Sequence, residues 1–201
     1  MDLKANQILK RIAVESLEKC VAKLSRISAG KWSVQDARVS CHSLEEAVLD
    51  QSSGPSGPGT AVYFEVRGEH PFTSMVVFRP EDIEIISRGF LGFSFSKLPN
   101  LSQAQELLLS ELGNIILNSL IGSFSNALKH SFLPSAPWCV NGEPQFLVET
   151  LWMAMDRKQR HSMITVALFL QCGKDVTRSE VIALIPDSME AALTGVIDAA
   201  E

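Results

Sequence analysis

The sequence predicts a single α+β domain in which two long helices pack on the same side of a mainly antiparallel sheet. Two long segments carry apolar residues at helical spacing, several short runs are rich in β-branched and aromatic residues, and the second half of the chain repeats the plan of the first. The chain has 201 residues, of which 46% are hydrophobic and 20% charged. This composition supports a real core and excludes a disordered chain.

The first half begins with a predicted helix over residues 3–28, and Gly30 marks its end. One face of this helix carries apolar residues at steps of three and four: Leu9, Ile12, Ala13, Leu17, Cys20, Leu24 and Ile27. Strands are predicted over 36–42, 60–67 and 73–79, followed by a short helix over 80–91. Residues 51–59, rich in glycine, proline and serine, are predicted to form a flexible loop.

The second half contains the same kinds of element in a similar order. A long helix is predicted over 103–131, and a polar turn over 156–161. Strands are predicted over 145–155, 162–172 and 179–185, and a short helix runs from Pro186 to the end of the chain.

The repeat is also visible in the letters of the sequence. Residues 80–89 align with residues 186–195, an offset of 106, so that a proline, an acidic residue, a glutamate and a glycine coincide. Two copies are too few for a solenoid. We therefore predict one pseudo-twofold-symmetric domain over residues 1–201, with halves at about 1–98 and 99–201.

Charge and hydropathy exclude several classes of protein. The net charge is −5, from 18 basic and 23 acidic residues without a long basic run, so we expect no nucleic-acid partner. The apolar stretches are shorter than a membrane span, and the N-terminus has no signal-peptide core. These features predict a cytoplasmic protein that does not insert into a membrane.

Cysteines and histidines show no metal-binding or catalytic spacing. The four cysteines, none of them in a CxxC pair, are predicted to be buried reduced thiols: Cys20, Cys41, Cys139 and Cys172. The histidines are scattered along the chain: His42, His70, His130 and His161. The sequence therefore predicts neither a zinc site nor a Cys-His catalytic pair.

The helix predicted over 103–131 carries the most informative residues. On a helical wheel, Glu111, Asn114 and Asn118 fall in one stripe about 60° wide, which also contains Leu107. Such a stripe is either an ordinary solvated face or a docking face, where an amide holds a water molecule and a carboxylate pairs with a partner's lysine. The spacing alone leaves both interpretations open.

A second face of the same helix is apolar and is predicted to pack against the sheet. Its residues are Leu108, Leu109, Leu112, Ile115 and Ile116. Leu117 and Ile121 lie just beside the polar stripe, and we interpret them as apolar residues that the core does not need.

A family resemblance favours a docking face with chemistry. The stretch Glu111-Leu-Gly-Asn114-Ile-Ile is followed, after a gap of 22 residues from Asn114, by Pro137. It resembles the signature of the CheC/CheX/FliY chemotaxis phosphatases, which is Asp or Ser, three residues, Glu, two residues, Asn, 22 residues and Pro. Residues 118–128 are also similar to the long helix of that family. The resemblance covers nearly the whole chain, because the family is built from two such halves.

The resemblance implies a CheC-like domain that removes phosphate from the aspartyl-phosphate of CheY, a response regulator. By this resemblance Asn114 would orient the attacking water, Glu111 would contact a lysine of the receiver, and Pro137 would shape the turn into the next strand. Mg²⁺ would be supplied by the receiver, so that the protein needs no cofactor of its own. We expect Glu111 and Asn114 to be exposed, because both must enter another protein.

Two departures from the family pattern affect the expected activity. Leu107 stands where the family has Asp or Ser, so reduced or lost activity is an expectation. Ser110 points about 100° away from Glu111 around the helix and does not substitute. In the first helix, Arg11 and Val14 occupy the Glu and Asn positions. We therefore expect one active site at most.

Other functions stay open at this point. Family members also bind CheD, a chemoreceptor deamidase, or sit at the flagellar switch, so the alternative is a non-catalytic CheC-like binding module. A third interpretation is an unrelated α+β domain, because short motifs match by chance. The apolar residues of the second long helix also permit a homodimer.

Overall fold

A computed structural model of the chain describes residues 3–43, 57–93, 101–153, 155 and 159–198. Its elements in chain order are α1 (Leu3–Ile27), β1 (Trp32–Ser43), β2 (Gly59–Gly68), β3 (Phe72–Phe78), α2 (Pro80–Leu91), α3 (Leu101–Leu128), β4 (Phe132–Pro134), β5 (Trp138–Gly142), α4 (Pro144–Met153), β6 (His161–Cys172), β7 (Asp175–Pro186) and α5 (Asp187–Asp198). Most of the predicted loop over 51–59, half of the predicted turn over 156–161 and the predicted boundary between the halves lie outside the described residues.

The strands form one sheet of seven strands in the order β1-β6-β7-β3-β2-β4, and β5 pairs with the same edge of β2 as β4 does. Each of these strand pairs is antiparallel. The fold class is therefore α+β with a mainly antiparallel sheet, as predicted.

The two faces of the sheet carry separate cores. Successive side chains of a strand point to opposite faces. Along β2, Val62 and Phe64 join the core formed with α1 and α3, whereas Ala61 and Tyr63 join a smaller core beneath α4. Both long helices thus pack on one face of the sheet, as predicted, and α4 covers part of the other face.

The arrangement of the elements repeats about the centre of the sheet, where β3 pairs with β7. The strand after each long helix pairs with the hairpin of the other half: β1 with β6, and β4 and β5 with β2. Shifting α2 by the offset of 106 residues gives 186–197, within one residue of α5 (Asp187–Asp198). The domain is thus pseudo-twofold-symmetric.

The prediction of a strand over 145–155 is wrong, because residues 144–153 form α4. Pro144 occupies the first helical position, where its missing N–H is not needed. Leu147 and Leu151 are buried four residues apart, whereas Phe146 and Met153 are exposed. Burial at a spacing of four residues is typical of a helix that packs one face against a sheet.

The second long helix ends earlier than predicted, and two strands, β4 and β5, are present where none was predicted. Lys129 has a φ of 58°, a left-handed conformation that ends α3 at Leu128. β4 and β5 are short and carry exposed apolar residues, Leu133 and Trp138. They therefore lack the alternation from which strands are predicted.

The length and composition of α3 are sufficient for a membrane span, in contrast to the prediction that the apolar stretches are too short. Most of the helix is buried inside the domain, however. Its apolar side chains pack against the sheet and against α1. A helix that forms part of a domain core can thus be as long and apolar as a membrane span.

All four cysteines lie among the described residues and are thiols rather than disulfides, but only Cys20 is buried, and Cys41, Cys139 and Cys172 are half-exposed. The expectation of buried thiols is therefore right for one cysteine and wrong for three. Burial raises the pKa of the Cys20 thiol to about 12 and that of Cys41 to about 11.

A buried carboxylate joins the two halves of the domain. Asp82 in α2 is 4% exposed, and its Oδ2 atom lies 2.9 Å from Arg79 Nη2. The backbone N–H of Arg178, in β7, donates to the same oxygen over 3.0 Å. We expect Asp82→Ala to lower the free energy of unfolding by about 1 kcal/mol, because it leaves that N–H without its acceptor and the guanidinium paired with exposed Glu81 alone.

Urea denaturation measures this loss, and Glu81→Ala is the matched control. Glu81 also pairs with Arg79, at 3.2 Å, but its side chain is 62% exposed. Removing it should change the free energy of unfolding by less than about 0.5 kcal/mol. Equal losses in the two variants would contradict a special role for the buried carboxylate.

Candidate functional site

The candidate site lies on α3, where that helix crosses β2. A Cβ atom built on Gly113 would lie 2.6 Å from Val62 Cβ, so only glycine allows this approach of helix and strand. Gly113 stands between Glu111 and Asn114 in the sequence. The contact with β2 therefore fixes how far both candidate residues stand from the sheet.

The apolar side of α3 is wider than predicted. The five predicted core residues are buried: Leu108, Leu109, Leu112, Ile115 and Ile116. Leu117 and Ile121 are buried as well, so interpreting them as residues that the core does not need is wrong. The physical reason is that α3 contacts α1, α5, β4 and β5 in addition to the central strands.

The polar stripe brings Glu111, Asn114 and Asn118 together as the sequence predicts. Glu111 is exposed and makes no hydrogen bond or ion pair with the described part of the chain. Asn114 is half-buried, less exposed than expected. The Asn118 Nδ2 group donates to Asn114 Oδ1 over 2.5 Å, one helical turn away. Asn118 thus holds the Asn114 amide in one orientation.

The Asn114 amide keeps most of its hydrogen-bonding capacity in this arrangement. An amide oxygen has two lone pairs, and Asn118 uses one of them. Within the described residues, no hydrogen bond uses the Asn114 Nδ2 group. The side chain can therefore accept one hydrogen bond and donate two to molecules that approach α3 from solvent.

Leu107 lies one turn before Glu111 and is 73% exposed. An apolar side chain is thus presented to solvent at the motif position where the family has Asp or Ser. Ser110 does not replace the missing polar group, because its hydroxyl donates to Cys139 Sγ over 3.5 Å.

The structure places Pro137, which is half-buried, directly before β5. Cys139, two residues further on, donates through its thiol to the carbonyl oxygen of Glu106 over 3.8 Å. The start of β5 is therefore next to the N-terminal half of α3, which carries Leu107 and Glu111.

The first long helix offers no equivalent group at the aligned positions. Arg11 lies 4.0 Å from Glu15 in an exposed pair, and Val14 is exposed. Neither side chain can bind water as an amide does.

A second cluster of polar side chains, which was not predicted, lies near the end of α3. Ligand atoms of Glu69, His70 and His130 lie within 4.8 Å of one another. His70 and His130, which are scattered in the sequence, are thus brought together by the fold. No sequence spacing signals the cluster, because His70 lies in the turn between β2 and β3 and His130 follows α3.

Comparisons with known proteins address the fold. A scan against models of protein families and a search of curated proteins find no match. Among solved structures, FliY from Thermotoga maritima is 12% identical, with a TM-score of 0.71 over 100% of this chain and 99% of that chain. The FliM middle domain from H. pylori is 13% identical, with a TM-score of 0.59 over 98% of this chain and 99% of that chain.

A third similar structure is the complex of CheX with CheY, BeF3 and Mg²⁺ from Borrelia burgdorferi. The matching chain is 12% identical, with a TM-score of 0.53 over 88% of this chain and 96% of that chain. In each of these comparisons the similarity covers most of this chain and nearly all of the other chain. The chain therefore has the fold of the CheC/CheX/FliY chemotaxis proteins.

Proposed function

We propose that the protein is a cytoplasmic CheC-like phosphatase, which hydrolyses the aspartyl-phosphate of a CheY-type receiver domain at a single site on α3. The observation that carries the proposal is the joint presentation of Glu111 and the Asn118-held Asn114 on one side of α3, at the spacing of the phosphatase motif. The solved CheX–CheY complex supports it, because a protein of this fold there binds a CheY.

Hydrolysis replaces the bond between phosphorus and the aspartyl oxygen with a bond to a water oxygen. The water attacks in line, the aspartyl carboxylate leaves with the electron pair of the broken bond, and the water's proton passes to solvent. An amide is not a base, so Asn114 contributes by position: its free lone pair accepts a hydrogen bond from the water, and Nδ2 donates towards the phosphoryl group. A Mg²⁺ ion held by the receiver would supply charge neutralisation at the phosphoryl oxygens, and this protein's residues do not bind it.

Glu111 acts in docking. Its carboxylate is exposed and has no partner in the described part of this chain, so it is available to a lysine of the receiver. An exposed ion pair contributes at most about 1 kcal/mol. The main effect of this ion pair is therefore to orient the bound receiver so that Asn114 reaches the phosphoryl group.

The second candidate function is a non-catalytic binding module for CheD or for the flagellar switch. The exposed side chain of Leu107 favours the binding module. An apolar side chain at this motif position can pack against a partner, but it cannot make the polar contact of an Asp or Ser. The occurrence of the fold in the FliM middle domain also agrees with it. A homodimer through an exposed apolar surface is compatible with either function.

Turnover distinguishes the two candidate functions. Protein added at a small fraction of the concentration of a phosphorylated CheY-type receiver should release many phosphates per molecule. A binding module would leave the rate of phosphate loss unchanged, or slow it in proportion to the receiver bound.

Asn118 should act as a positioning residue for Asn114. We expect Asn118→Ala to lower kcat about three- to tenfold, with little change in KM, because Asn114 then samples several rotamers and the barrier rises by about 0.7–1.4 kcal/mol. Steady-state phosphate release measures this. Ser119→Ala, on the adjacent residue, is the control and should leave kcat unchanged; an equal loss there would indicate a general disturbance of α3.

A further inference from the structure

A cluster of two histidines and a glutamate lies at the C-terminal end of α3, away from Glu111 and Asn114 in the middle of the helix. Ligand atoms of Glu69, His70 and His130 lie within 4.8 Å of one another. The two imidazole rings are stacked, with centroids 5.3 Å apart and an interplanar angle of 20°. His130 follows Asn114 by 16 residues, which separates the two by roughly 20 Å along the helix.

The backbone around the cluster is held by specific contacts. Gly68, with a φ of 153°, opens the turn after β2, and a Cβ there would lie 2.7 Å from the carbonyl oxygen of Ser131. On the other side, Lys129 adopts a left-handed conformation, and the Ser125 hydroxyl donates to the carbonyl oxygen of His130 over 2.5 Å. Both segments that carry the cluster are thus fixed against each other.

The side chains also have the environment of metal ligands. His70 is buried, and its Nδ1 atom lies 3.1 Å from Ser188 Oγ at the start of α5, which leaves its other ring nitrogen as a ligand. His130 Nδ1 is shielded from solvent and makes no hydrogen bond with the described residues, although Glu69 Oε2 lies 3.2 Å away. A shielded nitrogen beside a carboxylate oxygen in poor hydrogen-bond geometry suits a shared cation.

We propose that Glu69, His70 and His130 bind a Zn²⁺ ion. Two imidazole nitrogens and one carboxylate oxygen are a ligand set that zinc takes in tetrahedral sites, with water at the fourth position. Tetrahedral ligands about 2.1 Å from zinc lie about 3.4 Å apart, so the three side chains need to close by no more than about 1.4 Å. The Ser188 hydroxyl contacts His70 Nδ1, and this contact orients the imidazole for binding through its other nitrogen.

The bound ion would join the turn between β2 and β3 to the end of α3, and through Ser188 to α5. Its effect is therefore on the stability of the domain, and it is independent of the phosphatase proposal. At a free Zn²⁺ concentration about a hundred times the dissociation constant, the melting temperature should rise by about 5–10 °C.

The test is titration of the chelator-treated protein with Zn²⁺ by calorimetry, and with Co²⁺ by visible absorption. We expect one ion per chain with a tetrahedral Co²⁺ spectrum, and at least tenfold weaker binding in both His130→Gln and Glu69→Gln. Glu69 is exposed, so the second variant tests the site even where the first one fails to fold. His42→Gln, a histidine on β1 outside the cluster, should bind as the wild type does.

Three outcomes would overturn the proposal. One is the absence of stoichiometric binding in the wild type. Another is binding that survives both substitutions in the cluster. The third is a Co²⁺ spectrum with thiolate charge-transfer bands, which would place the ion on a cysteine.

Discussion

Gly113→Ala is expected to lower the free energy of unfolding by about 2 kcal/mol. The added Cβ would lie within 3.0 Å of three carbons of Val62, which is fully buried in the sheet and has few rotamers. Forcing a methyl group into such a contact costs roughly 3 kcal/mol, and the higher helix propensity of alanine offsets roughly 1 kcal/mol of it. Urea denaturation followed by circular dichroism measures the net effect.

The same helix provides the matched control. A Cβ built on Gly122 would have nothing within 4 Å, so Gly122→Ala should stabilise the protein by about 0.5–1 kcal/mol through helix propensity alone. The two substitutions are chemically identical and should have opposite signs. If Gly113→Ala were stabilising as well, the close approach of α3 to β2 described above would be wrong.

Asn114→Ala is expected to lower the rate of receiver dephosphorylation at least tenfold, which corresponds to about 1.4 kcal/mol of activation free energy. The methyl group of alanine can neither accept from the attacking water nor donate to the phosphoryl group. The residue is half-buried on the solvent side of α3, so its truncation should leave the fold intact. Single-turnover decay of the phosphorylated receiver measures the chemical step.

Glu111→Ala separates docking from chemistry. Because Glu111 is exposed and is proposed to contact the receiver rather than the water, its loss should raise KM more than it lowers kcat. Asn114→Ala should show the reverse, with nearly unchanged affinity for a receiver loaded with beryllofluoride and Mg²⁺. A parallel loss of affinity in Asn114→Ala would argue that this residue only docks.

Much of the fold could be predicted because its elements are long and periodic. The two long helices and the strands around residues 60–67, 73–79 and 162–172 appear close to their predicted bounds. The errors fall where local patterns are ambiguous. The apolar run that forms α4 has the composition of a strand, and β4 and β5 form only because β2 offers them an edge.

The candidate site could be predicted for a different reason. Glu111, Asn114 and Asn118 lie on one helix, so their spacing alone brings them together. The burial of Leu117 and the hydrogen bond of Ser110 to Cys139 depend on how other elements pack around α3. The histidine cluster depends on the same packing, since a turn and a helix end far apart in the chain build it.

Phosphate release from phosphorylated CheY-type receivers of the same cell tests the central claim most directly. Wild type and Asn114→Ala should be compared side by side, at concentrations where both bind the receiver equally. Hydrolysis is expected to accelerate with the wild type and to return to the receiver's own rate with the variant. If no receiver is dephosphorylated faster by the wild type despite measurable binding, the phosphatase assignment is wrong and the protein is a binding module.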